Sequence, residues 1–279
     1  MILVTGASGH IGGRIAQLLA ERGLSTRQLV REAGKAKELA GSSVAIGDYA
    51  DRTALRAAME GVETVFLASA GAPPLKRAGL HGNVIDMAVE AGVKRLVYLS
   101  FQAASAASPF PYSADHLLSE AHLKQSGLDW TILRDSFYQD LIPDLADANG
   151  VIKSPGGNGK VAWVAREDVA QVAAAVLADD SHAGKTYDIT GPEAFSLREA
   201  VARLAALSNG RFRYEQETLE EGRAWRMATG APEWEVDVWL GSYLAMGTGE
   251  LAATSNAVRT ITGRDPMPLE ANPVLLSSC

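Results

Sequence analysis

Three glycines near the start of the chain are spaced for phosphate chemistry. They are Gly6, Gly9 and Gly12 in Met1-Ile2-Leu3-Val4-Thr5-Gly6-Ala7-Ser8-Gly9-His10-Ile11-Gly12-Gly13. The apolar, β-branched run before Gly6 reads as a buried strand, and Ile11, Ile15, Leu18 and Leu19 then repeat at helical spacing. A strand that turns sharply into a helix needs a residue without Cβ at the turn. It needs another where backbone meets a pyrophosphate, and a third where helix packs on strand. The helix N-terminus then aims unpaired N–H groups and a partial positive charge at the phosphates. The pattern predicts a dinucleotide site.

In such sites the residue ending the second strand faces the adenosine ribose, about 20 positions past the glycines. Here Leu29-Val30 is followed by Arg31. A guanidinium grips a ribose 2′-phosphate in bidentate fashion, so Arg31 favours NADP over NAD. Lys35, one helical turn on, adds a second positive charge. A shift of one residue would put Glu32 in the same place, and an acidic side chain there accepts from a free 2′-hydroxyl. Asp48, in Gly47-Asp48-Tyr49 after the third strand, stands where an adenine amino group is bound, or where a turn wants an aspartate.

The elements that must position these residues alternate. Strand patterns fall at 2–5, 26–30, 43–46, 63–68, 95–99 and 129–133, with helical patterns near 11–22, 34–40, 51–59, 79–91 and 114–125. This rhythm predicts right-handed βαβ units and a parallel sheet covered on both faces. Asp51 reads as an N-cap and Gly92 as a helix stop. After residue 135 comes a turn-rich hinge, Ser154-Pro155-Gly156-Gly157-Asn158-Gly159, then a short strand at 160–164. A helix near 166–178, with Asp168 expected as its cap, and a strand at 185–189 precede a region dominated by helices near 196–208, 217–228, 233–246 and 256–263. One further strand is expected near 212–216 and an irregular tail at the end. The fold expected is α/β: a Rossmann-type doubly wound parallel sheet over residues 1–190, with a smaller, mostly helical C-terminal cap over 191–279. Residues from about 136–160 contribute to that cap.

With 279 residues, 47% of them apolar, the chain can bury a sizeable core. A net charge of −7 without a basic run argues against nucleic acid or an anionic membrane as the main partner. The one cysteine, Cys279, offers no disulfide framework, and the five histidines have no metal-ligand spacing. No apolar stretch approaches the roughly 20 residues of a membrane span. A strand at the very N-terminus leaves no room for a signal peptide, so a cytoplasmic protein, monomer or homodimer, is expected. Gly184-Lys185-Thr186 is no phosphate loop, because position 179 is Asp and a strand follows.

The segments VTGASGHIGG, LVRE, GDYAD, GVKRLVYLS, HLLSEAHLKQSGLDWTILRDSFY, REDVAQVAAAVL, GKTYDITGPE and GTGELAATSNAVRTITGRDP together touch most of the chain to about residue 268. In them the sequence resembles the NmrA-like group of atypical short-chain dehydrogenase/reductases, which includes type 2 quinone oxidoreductases and triphenylmethane reductase. The resemblance implies NAD(P)H binding along Gly6, Ser8, Gly9, His10, Ile11 and Gly12, at Arg31 and Asp48, and at the turn Leu67, Ala68 and Ser69. It also implies a substrate cleft between sheet and cap.

Ordinary members of the wider superfamily use Ser, Tyr and Lys. Here Ser100 ends the fifth strand and Tyr112 follows 12 residues later, but His116 stands where Lys belongs. Histidine, with an ordinary pKa near 6.5, is a weak source of fixed positive charge at neutral pH. The Tyr–Lys acid is therefore broken. Tyr112 reads as a catalyst or as a loop aromatic, and His116 as a cofactor or substrate contact or as half of a surface pair with Glu120. A missing acid matters less for a quinone, whose reduced form is a stabilised phenolate, than for a plain ketone, which yields an alkoxide. Phe137, just after the sixth strand, is expected on the nicotinamide, and Phe101, Tyr138 and Trp225 in the substrate pocket. These residues point to an NAD(P)H-dependent reductase of a quinone-like or other conjugated aromatic acceptor, including tailoring steps of aromatic secondary metabolism. The alternative is a non-catalytic, NAD(P)-sensing regulatory protein of the NmrA type.

Overall fold

The computed structural model of the chain describes residues 1–277. Cys279 lies outside the described residues. In the first half, strands β1 (Ile2–Val4), β2 (Thr26–Val30), β3 (Ser42–Ile46), β4 (Thr64–Leu67), β5 (Arg95–Phe101) and β6 (Asp129–Asp135) alternate with four helices. These are α1 (His10–Glu21), α2 (Arg52–Ala58), α3 (Lys76–Glu90) and α4 (Pro111–Gln125). After a short parallel pairing strand β7 (Val151–Ser154) and β8 (Lys160–Val161), helix α5 (Arg166–Leu177) leads to β9 (Lys185–Ile189). The sheet runs β3-β2-β1-β4-β5-β6-β9, every pair parallel. The order reverses at β1, which puts the crevice of a doubly wound fold beside the Gly6 turn.

Each face of the sheet carries its own core. Val4, Phe66, Val97 and Leu133 pack with α1 and the valine-rich α5 on one side. Leu3, Leu67, Leu96, Tyr98 and Ile132 meet α2 and α3 on the other. Successive side chains of a strand point to opposite faces, so neighbours such as Val97 and Tyr98 enter different cores. Asp51 caps α2 by accepting from the Ala54 N–H at 2.9 Å, and Gly92 (φ +73°) ends α3 in the left-handed region.

The cap combines strand β10 (Phe195–Ser196), helix α6 (Leu197–Leu207), strand β11 (Arg213–Gln216) and helices α7 (Leu219–Ala228) and α8 (Glu233–Thr248). β8 pairs with β10 and β7 with β11, which stitches the 151–161 segment into the cap. α9 (Ala257–Thr262) returns to the sheet and buries Ala257 and Val258 against the α1–α5 core. A short α10 (Pro273–Ser277) stands where an irregular tail was expected.

Two other expectations are corrected. No helix forms at 34–40: a single 3-10 turn at Ala33–Lys35 gives way to extended backbone. Gln28 is the reason, because its side-chain amide takes both the N–H (3.0 Å) and the carbonyl (2.8 Å) of Lys37. Nor does Asp168 cap α5. Asp140 Oδ2 accepts from the Arg166 N–H at 3.0 Å, while Asp168 Oδ2 accepts from Met267 N at 2.6 Å and ties the C-terminal segment down.

Candidate functional site

The carboxyl ends of the strands open on a cleft of about 500 Å³, within the size range of small-molecule sites. Its floor is the β1–α1 turn. Gly6 takes φ +61°, and a Cβ on it would meet Ala68 Cβ at 2.8 Å. A Cβ on Gly12 would stand 2.4 Å from the Gly6 carbonyl oxygen, so only glycine lets α1 start this close to the strand. Gly9 is the N-cap of α1 and offers no side chain to the N–H groups of its first turn. Ser8, His10 and Ile11 line the same floor. A Cβ-free cradle at an uncapped helix N-terminus fits a pyrophosphate.

At the β2–β3 end, Arg31 lines the cleft and is exposed. Glu32 stands at the N-cap position of the 3-10 turn without a capping hydrogen bond and does not line the cleft. Lys35 is exposed and away from it, because the helix that would have brought it round does not form. Asp48 both lines the cleft and accepts from Ala50 N at 2.9 Å as a turn aspartate. Beside it the Tyr49 hydroxyl lies 2.5 Å from Thr5 Oγ1 and 3.0 Å from the Ala68 carbonyl, fastening the ends of β1, β3 and β4 together.

At the other end, Ala68 and Ser69 line the cleft, the Ser69 hydroxyl donating to the Leu99 carbonyl at 3.0 Å. Leu67 does not: it is the last residue of β4, fully buried in the core on the α2–α3 side. Phe137 and Phe101 also turn away from the cleft. Their rings lie 5.1 Å apart, and Phe137 packs further on Phe110 and Trp163. Phe101 is buried and Phe137 half-buried in this aromatic cluster. Tyr138 does line the cleft, with its hydroxyl donated to the buried Asp135. Burial pushes the Asp135 carboxyl up to about 7. Trp225 is on the outside of α7, where its indole N–H donates to Glu217 Oε2 at 2.7 Å and buttresses the buried Glu217–Arg226 ion pair.

Ser100, Tyr112 and His116 are not assembled as an acid. Ser100 is buried and donates at 2.7 Å to Glu120 Oε1, a carboxylate held by both Arg134 Nε (2.8 Å) and Nη2 (2.6 Å). Tyr112 is half-buried under the guanidinium of Arg77, whose Cζ lies 3.8 Å from the ring centroid. His116 is buried in a network on the α3–α4 side of β5. The Ala70 N–H donates to His81 Nε2 at 2.8 Å, so neutral His81 carries its proton on Nδ1. Ser119 Oγ gives its own proton to the Asp115 carbonyl at 2.7 Å and receives that of His81 Nδ1 at 2.9 Å. The Tyr98 hydroxyl lies 2.8 Å from His116 Nδ1 and 3.2 Å from His81 Nδ1 and bridges the two imidazoles. Burial and the charge of Arg77 hold both histidines below the ordinary range, His81 at about 3. His116 therefore stays neutral at pH 7 and cannot replace lysine as a cation. Arg77 and Leu80 from α3, Gly71 from the loop before it and Arg166 from α5 also line the cleft, from positions remote in sequence from the glycine turn.

Among the described residues no group of His, Cys, Asp and Glu is arranged to hold a metal ion, and no helix is long and apolar enough to cross a membrane. A family described as NAD(P)H-binding matches residues 6–180. The chain is 33% identical to an NAD(P)H azoreductase of Xenophilus azovorans over 269 residues, 95% of this chain and 93% of that protein. The structure of an NADPH-dependent quinone oxidoreductase of Escherichia coli complexed with NADPH superposes with a TM-score of 0.89 at 31% identity, covering 98% of each chain. Triphenylmethane reductase of Citrobacter sp. complexed with NADP(H) superposes with a TM-score of 0.88 at 28% identity, covering 100% of each chain. With this fold, this glycine cradle and these matches, the chain belongs to the NAD(P)H-binding family, within the NmrA-like group of atypical short-chain dehydrogenase/reductases.

Proposed function

We propose that the protein is a reductase that uses NADPH in preference to NADH and passes a hydride to a quinone-like or other conjugated aromatic acceptor. The observation that carries this reading is a complete nucleotide cleft beside a Ser100–Tyr112–His116 set that forms no proton donor. When bound, the reduced nicotinamide supplies the hydride. The Gly6–Gly12 turn would hold the pyrophosphate by backbone N–H groups, and Arg31, exposed at the β2 end, would take the 2′-phosphate. The Ala68–Ser69 turn, Leu99 and Tyr138 form the wall at the nicotinamide end. The quinone, azo and dye reductases among the relatives support an acceptor whose reduced form is a stabilised anion and takes its proton from water.

Steady-state oxidation of NADPH against a panel of benzoquinones, naphthoquinones, azo dyes and simple ketones tests the reading. Turnover that is faster with naphthoquinones than with simple ketones supports it. Tight NADPH binding without turnover over the whole panel would replace it with the sensor.

A further inference from the structure

Arg77 stands in the first turn of α3 and lines the cleft, as do Leu99 and Tyr138. The sheet order puts these residues beside β4, β5 and β6, across the glycine turn of β1 from Arg31 and Asp48. Arg77 Nε donates to the Ala70 carbonyl at 2.6 Å, and the Tyr112 ring supports one face of the guanidinium at 3.8 Å. Its two terminal nitrogens have no hydrogen bond, and no carboxylate pairs with it, among the described residues. That sets it apart from Arg95, Arg134 and Arg226, each of which meets a carboxylate. The Asp115 and Asp135 carboxylates act on this half-buried cation through space, but neither bonds it, so its terminal N–H groups are left to face the cleft. Burial lowers the Arg77 pKa, but a guanidinium in a protein keeps its proton.

We propose that Arg77 is the oxyanion donor of the acceptor site. Its terminal N–H groups receive the oxygen on which negative charge gathers as the acceptor is reduced. This rests on the reading under Proposed function. The C4–H bond of the dihydronicotinamide breaks and its electron pair and hydrogen pass to the acceptor. With the nicotinamide oxidised, a quinone acceptor would become a hydroquinone monoanion whose charge lies on oxygen. Arg77 holds that charge and gives up no proton, and water protonates the product on release. The fixed cation that His116 fails to provide from α4 is thus supplied from α3. Tyr112 serves as its platform through a cation–π contact, a role that needs the ring and not the hydroxyl. Donors held in place before reaction stabilise developing charge without reorganisation, and losing one costs about 10²–10³-fold in rate.

The test uses Arg77→Met and Arg77→Lys in the protein saturated with NADP⁺, with 4-nitrophenol as the probe. In the wild type the bound phenol should ionise at lower pH than the free phenol, read from the phenolate absorption band. Arg77→Met should abolish that shift, Arg77→Lys should keep part of it, and circular dichroism should report both as folded. With 1,4-naphthoquinone, kcat/KM should fall about 10²-fold in Arg77→Met while the Kd for NADPH, from fluorescence titration, changes little. An unchanged phenol shift in Arg77→Met, or a rise in the NADPH Kd that accounts for the whole loss, would overturn the proposal and assign Arg77 to the cofactor phosphates. If the wild type reduces no quinone, the reductase reading fails, and the phenol titration still decides whether Arg77 makes an anion site. Should Arg77→Met not fold, Tyr112→Leu, which removes the platform and keeps the charge, must weaken the phenol shift.

Discussion

Ser100 donates its hydroxyl to Glu120 at 2.7 Å, and that bond removes it from any partnership with Tyr112. Ser100→Ala should therefore leave quinone turnover within about threefold of the wild type. It should lower stability by about 1–3 kcal/mol, the cost of taking a hydrogen bond from a buried charged group. Urea unfolding beside steady-state assays checks this. A large loss of kcat in a protein of unchanged stability would return Ser100 to the reacting groups.

The spacing of Ser100 and Tyr112 matched an acid because spacing along a chain says nothing of which face of a strand a side chain takes. Tyr98 and Ser100 share the α3–α4 side of β5, and there Glu120, itself held by Arg134, claims the serine. The glycine cradle, the strand order and the Asp51 cap were legible because each follows from local rules of period, φ and capping. Arg77 was not, since its role depends on how α3 docks against α4 and brings it over Tyr112. The helix expected at 34–40 failed for a similar reason: one buried glutamine, Gln28, fixed the backbone of Lys37.

Arg31→Glu should weaken NADPH binding by at least tenfold and NADH binding much less, because a phosphate partner becomes a repelling charge at an exposed position lining the cleft. Fluorescence titration with both cofactors measures the two losses. Equal losses would mean that Arg31 does not face the 2′-phosphate.

The glycines should separate folding from binding. A Cβ on Gly9 meets only the Gly6 carbonyl oxygen at 3.3 Å, and the rest of a larger side chain would enter the cleft. Gly9→Val should remain folded and lose NADPH affinity by more than 10²-fold. Gly12→Ala, with its Cβ 2.4 Å from the Gly6 oxygen, should instead lower the melting temperature. Unaltered NADPH affinity in Gly9→Val would remove the pyrophosphate from this turn.

Asp135 sets a pH dependence of stability. Its carboxyl is pushed up to about 7 by burial, against an ordinary value near 4 in the unfolded chain. Between these values the unfolded state releases the proton and the folded state keeps it. Stability from this group is complete below about pH 4, is lost as pH rises, and levels off above about pH 7. Asp135→Asn, still able to accept from Tyr138, lacks that loss. Relative to the wild type it should gain stability from pH 5 to pH 8, by up to roughly 4 kcal/mol. Parallel urea midpoints for the two proteins across that range would show that Asp135 is ionised in the fold.

Hydride transfer without a tyrosine acid is best tested in a single turnover. The protein loaded with NADPH, or with NADPH deuterated at the transferred position of C4, is mixed with 1,4-naphthoquinone, and the loss of reduced-nicotinamide absorbance is followed. The bound cofactor should be fully oxidised, at a rate slowed by deuterium, and Tyr112→Phe should retain most of the wild-type rate. A fall of about 10²–10⁴-fold in Tyr112→Phe with cofactor binding intact, the size expected for a lost general acid, would contradict it.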